Sequence, residues 1–202
     1  MRFYLTESGG EVIMGYDEKL WKTYTDENIE KMQDDQSKFI YFLSVALGAK
    51  RICEAGCNVG NNLSHFPKNC DVYGFDMSEY ALEKARKHYP SFKFKVGNMN
   101  KIPFNDSFFD LVFTRGVLIH VPSADIDAGL KELVRVSKKW IMNLEYFGKD
   151  GEMIKWSRGD DLLWYRNMKE RWSKFDVEII CDVDIPQEID PGKVRLTIVR
   201  RK

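Results

Sequence analysis

Charge of one sign is missing from this sequence. Its 202 residues carry 31 Lys plus Arg against 31 Asp plus Glu, a formal net charge of zero, so the chain as a whole offers no basic field and a dedicated nucleic-acid binder is disfavoured. Cysteine and histidine are scarce. Cys53, Cys57, Cys70 and Cys181 are irregularly spaced, and three His elsewhere do not complete a zinc-site pattern. They read as free thiols in a reducing compartment, with no metal. No run approaches the roughly 18 apolar residues that span a bilayer, and MRFYLTESGGEVIMGY lacks the apolar core of a secretory leader. The expectation is a soluble, cytoplasmic protein without a membrane partner. What remains, 44% apolar residues, suffices for the core of one domain, and two full domains would be cramped.

Along the chain, residues 1–16 hold Gly9, Gly10 and Gly15 without periodicity, which predicts an irregular or mobile lead-in able to close over a ligand. From Asp35, the residues Phe39, Ile40, Phe42, Leu43, Ala46 and Leu47 recur at helical spacing up to Gly48, a plausible stop. The division expected is 1–34 as lead-in and lid, and 35–202 as the main domain. Short apolar runs then alternate with amphipathic stretches. Strands are predicted at 51–55, 71–75, 92–96, 110–114 and 140–144, with helices at 61–66, 78–88 and along Ile126, Leu130, Leu133 and Val134. Strands separated by helices imply βαβ units and a parallel sheet covered on both faces. Two further strands, 177–181 and 194–199, have no room for a helical crossover between them and must pair antiparallel. The class is α/β, wound in the Rossmann manner.

Chemistry concentrates after the first of these strands. Glu54-Ala55-Gly56-Cys57-Asn58-Val59-Gly60 leaves a strand and opens a helix, the place where a nucleotide-like ligand meets backbone amides. Gly56 permits a sharp turn and close ligand approach, and Gly60 removes a Cβ between helix and strand. Asn58 replaces a second glycine but tolerates left-handed backbone, a departure that speaks against a diphosphate ligand and hence against a nicotinamide dehydrogenase. Asp76 follows Gly56 by twenty residues, the interval at which a carboxylate reaches ribose hydroxyls. Its other reading is a helix cap, with Glu79.

These residues resemble a class I S-adenosylmethionine-dependent methyltransferase over 35–202, through ICEAGCNVGNN, VYGFDMSEYALEKAR, VGNMNKIPFNDSFFDLVFTRGVLIHV and the terminal strand pair. The resemblance implies a mostly parallel seven-stranded sheet with helices on both faces and an antiparallel last strand. It implies S-adenosyl-L-methionine as cofactor, with S-adenosyl-L-homocysteine as product. Glu54, Gly56 and Gly60 would surround its methionine part, Asp76 would hold the ribose, and Met77 would lie against the adenine. Asn58, Asn61, Met99 and Arg115 are further cofactor-binding candidates. Asn98 would meet the adenine amino group through its amide oxygen, or serve only as a turn residue in Gly97-Asn98-Met99-Asn100.

A narrower resemblance, carried by LWKTYTDENIEKM, EAGCNVGNNL, GVLIHVP and LEYFGKDGEMIKWSRGDDLLWYRN, is to methylases associated with pseudaminic acid biosynthesis. It departs at Gly148-Lys149-Asp150-Gly151, where that family has a proline-containing stretch. The implied partner is a small-molecule methyl acceptor, a sugar or nonulosonic-acid-pathway metabolite. The alternative is a cofactor-binding scaffold without catalysis.

The acceptor is expected beyond the carboxyl ends of the strands, where His120 is the candidate general base. Beside Leu118, Ile119 and Val121 its other reading is a packed residue whose ring nitrogens are satisfied by backbone. Trp21 and Tyr24 are candidates to close the site, or to anchor a helix. Tyr146, Trp156, Arg158 and Arg166 are candidate acceptor ligands, the arginines for an anionic group and the rings for a sugar face. Locally paired surface charges are the other reading of that segment. The oligomeric state is open.

Overall fold

The computed structural model describes residues 3–5, 11–13, 17–29, 34–159, 162–190 and 192–202. In chain order the elements are β1 (Phe3–Leu5), β2 (Glu11–Ile13), α1 (Glu18–Ile29), α2 (Asp34–Ala46), β3 (Arg51–Ala55), β4 (Asp71–Asp76), α3 (Glu79–His88), β5 (Lys93–Val96), β6 (Phe109–Arg115), α4 (Ile126–Val136), β7 (Ser137–Tyr146), α5 (Met168–Trp172), β8 (Val177–Asp184) and β9 (Val194–Arg201). Seven strands form one sheet in the order β5-β4-β3-β6-β7-β9-β8. β3, β4, β5, β6 and β7 run parallel, and β9 lies antiparallel between β7 and β8. This is the Rossmann-like sheet expected, with the order reversing between β3 and β6, the crevice where such sheets bind ligands.

The alternating side chains of the strands feed two cores. Ile52, Leu111, Phe113 and Met142 pack with Ile40 of α2 and Leu82 and Ala85 of α3. On the opposite face, Cys53, Val112 and Ile141 pack with Leu130 and Leu133 of α4 and Met168 and Trp172 of α5. Period-two patterning with both faces apolar is what a parallel sheet between helical layers requires. Trp172 is fully buried, and its indole donates to Asn143 Oδ1 at 2.7 Å, while Asn143 Nδ2 donates to Thr114 Oγ1 at 2.8 Å. A polar chain therefore ties α5 to the central strands β7 and β6.

Two expectations change. The segment 61–66 forms only a 3₁₀ turn, Asn61–Leu63, because Pro67 supplies no amide and disfavours helical geometry in the residue before it. The lead-in is not irregular throughout: β1 and β2 pair antiparallel, and α1 is a three-turn helix. Its start is set by Asp17, whose Oδ1 accepts from the amides of Lys19 and Leu20 at 2.9 and 3.1 Å. Gly9, Gly10 and Gly15 lie outside the described residues, as does Asp160 of the late aromatic segment. Among the described residues, no helix is long and apolar enough to cross a membrane.

Trp172→Phe removes the donor to a buried amide oxygen and leaves a small void. We expect a loss of roughly 2 to 4 kcal/mol of unfolding free energy, read as a lowered urea midpoint, and an unchanged midpoint would contradict the role assigned to this tie.

Candidate active site

The carboxyl ends of β3, β4, β5 and β6 open into one cavity of about 260 Å³. Its floor is built by four successive strand exits: Gly56 to Asn58, Asp76 to Ser78, Gly97 to Asn100, and Arg115 to Val117. Trp21, Tyr24, Thr25 and Asn28 of α1 line it from above, and His120, Leu162 and Trp164 from one side.

The first turn owes its shape to β4. The amides of Gly56 and Cys57 both donate to the Phe75 carbonyl, at 2.8 and 3.0 Å, and the Asn58 amide donates to Asp76 Oδ2 at 2.8 Å. Gly56 and Asn58 both take left-handed backbone, with φ of 73° and 46°, the conformation anticipated for Asn58. A Cβ on Gly56 would stand 2.6 Å from a methyl carbon of Val117. Asp76 Oδ1 accepts from the Ser78 amide at 2.9 Å. It does not cap α3; Ser78 does, accepting from the Ala81 amide at 3.2 Å. Burial raises the Asp76 carboxyl above its ordinary range, against the backbone donors that lower it.

Glu54 and Gly60 do not line the cavity. Glu54 lies just below, fully buried, with Oε1 accepting from Asn62 at 2.6 Å and Oε2 lacking any partner. Desolvation pushes its carboxyl up to about 8, while the Asn62 bond and the Arg115 charge pull the other way. Gly60 has φ of 82°, and a Cβ there would crowd the Tyr89 ring at 3.2 Å; its bareness admits Tyr89 rather than separating a helix from a strand. Asn61 Nδ2 reaches over to donate to the Asn28 carbonyl of α1 at 2.7 Å. Arg115 pairs with Asp190 at 2.6 Å, and its Nε is buried without a partner.

Asn98 takes the turn reading. Its Oδ1 accepts from the amides of Asn100 and Lys101 at 3.0 and 2.9 Å, so the oxygen expected to meet a ligand is committed to the chain itself. Met77 and Met99 both face the cavity.

His120 combines both of its expected readings. Its ring packs edge-on to Trp21 at 5.1 Å and tilted against Trp156 at 5.2 Å between centroids. Nδ1 lies 2.7 Å from the Leu162 carbonyl. A carbonyl only accepts, so Nδ1 carries the hydrogen and Nε2 the lone pair. Burial pushes the imidazole down to about 4, aided by the Arg166 charge and opposed by the Leu162 bond.

Tyr24 and Trp156 meet at 6.2 Å. Arg158 stacks over both rings at 5.1 and 5.3 Å and is ion-paired with Glu27 of α1. Neither Trp156 nor Arg158 lines the cavity, and Tyr146 stands apart from it beside the Arg115–Asp190 pair. Arg166 is displaced further from the expected role. It is 1% exposed and donates through Nε to the Leu118 carbonyl at 2.9 Å, through Nη2 to the Val121 carbonyl, and through Nη1 to Ser123 Oγ at 3.3 Å. It holds the loop that carries His120 instead of holding a ligand.

Sequence reasoning missed Glu145. It is buried at the end of β7, and its Oε2 accepts from the amides of Val117 and Ile119 at 3.1 and 3.3 Å. The available signal was a carboxylate at the C-terminal end of an otherwise apolar strand. Burial raises its pKa, and the hydrogen bonds from Thr114 and the loop amides oppose that rise.

A family model described as a methyltransferase domain matches residues 52–139, which include the glycine turn, Asp76, Asn98 and His120. Over this stretch, less than half of the chain, the sequence is similar to a methyltransferase domain. An uncharacterized methyltransferase of Schizosaccharomyces pombe is 33% identical to the chain over 112 residues, 48% of the chain and 40% of that relative. The chain spans less than half the length of the first curated relatives it matches, 40%, 39% and 48%. Among solved structures, the 1,6-didemethyltoxoflavin-N1-methyltransferase of Burkholderia thailandensis, with 1,6-didemethyltoxoflavin and S-adenosylhomocysteine bound, superposes with a TM-score of 0.70. Its identity is 13%, with 92% of this chain and 87% of that one covered. The magnesium protoporphyrin IX methyltransferase of Synechocystis PCC 6803, with bound S-adenosylmethionine, gives 0.64 at 17% identity, covering 89% and 84%. At those identities the likeness is one of fold.

S-adenosylmethionine is the cofactor that the resemblance implies, and the polar groups below the cleft can be compared with what it would demand. The methionine end is a zwitterion, and the two buried polar atoms left unpartnered at this end of the site are an acid oxygen, Glu54 Oε2, and a guanidinium nitrogen, Arg115 Nε. Each matches one charge of that group.

With its carboxyl raised to about 8, Glu54 is protonated in the free domain at pH 7, and a neighbouring ammonium favours its ionised form. Titrating S-adenosylhomocysteine at pH 7 in buffers of different ionisation enthalpy should reveal release of a proton on binding, lost in Glu54→Gln. The sign for folding is the reverse of an ordinary acid: the folded chain binds the extra proton, so this group's contribution to stability falls as pH rises from about 4.5 to 8. A binding enthalpy independent of buffer would contradict the assignment.

Proposed function

We propose that this chain transfers a methyl group from S-adenosylmethionine to an oxygen or nitrogen of a small polar acceptor, a sugar of the kind handled in nonulosonic-acid pathways. The observation that carries the reading is one cleft holding the Gly56–Asn58 turn, the Asp76 carboxylate and a neutral, tautomer-fixed His120. The cofactor supplies a methyl group made electrophilic by its sulfonium charge. The chain's part is to bind, orient and exclude water. Asp76 accepts backbone amides through both oxygens, Ser78 at Oδ1 and Asn58 at Oδ2, and the acceptor capacity they leave would hold a ribose hydroxyl. Trp21 and Tyr24 shield the reacting end from solvent, and their faces attract positive charge.

His120 Nε2 takes the proton that an acceptor hydroxyl or amine gives up as its lone pair attacks. A pKa near 4 keeps the imidazole uncharged throughout the physiological range. Two observations favour a neutral acceptor over an acid. Arg166 is spent on backbone carbonyls and Ser123, and Arg158 on Glu27. The aromatic wall of Trp21, Tyr24 and Trp164 supports a sugar face, as do the motifs shared with the pseudaminic-acid-associated methylases.

Calorimetry with S-adenosylhomocysteine is expected to show micromolar binding, lost in Asp76→Ala and in Gly56→Val, where the new side chain meets Val117. No heat with the unaltered chain would refute the reading. In turnover assays over a panel of neutral sugars and amino sugars, His120→Ala should lower kcat about a hundredfold. Its rate should then rise with pH as the acceptor itself ionises, whereas the unaltered enzyme shows no such dependence between pH 5 and 8. Equal rates for the two proteins would remove His120 from the chemistry.

A further inference from the structure

A second hollow, of about 330 Å³, lies at the other edge of the sheet, among the first residues of β3, β4, β6 and β7. Parallel strands bring their amino ends to one rim, and the antiparallel β9 brings its carboxyl end there. Lys50, Arg51, Lys93, Lys138 and Arg201 flank these ends and so gather although they are scattered in sequence. Two carboxylates hold them in place. Asp71 accepts from Arg51 Nε at 2.5 Å and from Lys93 Nζ at 2.6 Å. Asp110 Oδ2 accepts from the amides of Lys50 and Arg51 at 3.0 and 2.9 Å, and its Oδ1 lies 4.0 Å from Lys138 Nζ. Arg201 Nη1 donates to Ser107 Oγ at 2.7 Å and to the Ser137 carbonyl at 2.8 Å. The rim therefore carries an excess of positive charge in a chain whose formal net charge is zero.

Arg51 is the best-placed member of this group. Its guanidinium stacks over the Phe108 ring, 4.4 Å from the centroid, while Nε is held by Asp71. The two terminal nitrogens make no hydrogen bond among the described residues. A guanidinium fixed on two sides presents that free pair as a rigid fork for an oxyanion. We propose that this hollow binds the phosphoryl group of a small soluble molecule, with Arg51 as the bidentate donor and Lys50 and Lys138 as flanking charges. A carboxylate would satisfy the fork and leave both lysines to water. A phosphoryl group carries up to two charges and three acceptor oxygens, which matches a fork between two ammonium groups. Lys138 is 67% exposed in its side chain, and an exposed ion pair contributes little, so it can turn from Asp110 to an entering anion. A recess lined by charge of one sign also concentrates the field that draws such a ligand in. The hollow and the cleft lie at opposite ends of the same strands, and the proposal stands apart from the cofactor reading.

The test uses inorganic pyrophosphate as the probe, in metal-free buffer with ionic strength held constant by sodium chloride. Calorimetry on the unaltered chain should show saturable binding, and the melting temperature should rise with pyrophosphate and not with chloride alone. Arg51→Gln should weaken binding about tenfold or more, the effect of losing charged hydrogen bonds. Lys138→Ala, which leaves the Arg51–Asp71 pair in place and so guards against a folding defect, should weaken it about threefold. Saturating S-adenosylhomocysteine should leave the pyrophosphate constant unchanged. Absence of binding, an equal response to chloride, full affinity in both variants, or competition by S-adenosylhomocysteine would each overturn the proposal. So would capture by phosphatidylcholine vesicles containing phosphatidic acid without any response to pyrophosphate, which would make the hollow a lipid contact.

Discussion

The site depends on a lacing between two strand ends. Three consecutive amides of the turn after β3 are spent on the last two residues of β4: Gly56 and Cys57 on the Phe75 carbonyl, and Asn58 on the Asp76 carboxylate. Those bonds oblige the chain to bend into left-handed backbone at Gly56 and Asn58. They also fix the carboxylate at a set distance from the bend. A ligand that touches the turn therefore meets Asp76 without any rearrangement, and the preorganisation is anchored in the sheet through the hydrogen-bonded parallel register of β3 on β4.

A second arrangement governs the His120 side of the cleft. The loop carrying His120 buries Leu118 and Ile119, and its backbone is gripped from beneath by Glu145, which accepts from Val117 and Ile119, and from the side by Arg166, which donates to Leu118 and Val121. An anion collects the loop's amides and a cation collects its carbonyls. Buried charges are costly unless hydrogen-bonded, and here the loop itself supplies the bonds. The imidazole inherits its orientation from this grip and from the Leu162 carbonyl.

How much of this was legible follows from the range of the interactions. Strands and helices at 35–60 and 71–144 show themselves through local periodicity, and the antiparallel end through the absence of room for a crossover. Asp76 and Gly56 could be paired because their spacing is a property of one βαβ unit. The failures are of a different kind. Arg158 and Arg166 look alike in sequence, and only the tertiary contacts separate an ion pair over two rings from a clamp on carbonyls. Asn98 and Asn100 differ by two positions in one turn, and which of them spends its oxygen on the backbone is decided by φ and ψ, not by residue type. Glu145 was invisible because its partners lie 26 and 28 residues away. The helix α1 escaped because its apolar face is slight: among its residues only Thr25 is buried.

That poverty of apolar contact has a consequence for how the cleft is entered. Beside the ring contacts of Trp21 and Tyr24 with His120 and Trp156, α1 is joined to the rest of the fold through hydroxyls, amides and charges: Thr25 to Asn58, the Asn28 carbonyl to Asn61, Asp26 to Tyr80 and Lys84, Glu27 to Arg158. Water can replace every one of these bonds at modest net cost. The roof of the cleft is thus fastened by exchangeable links, while its floor is welded to the sheet. Parting α1 from the cleft would break these side-chain links and the ring contacts of Trp21 and Tyr24, and would leave the strand-end bonds beneath untouched.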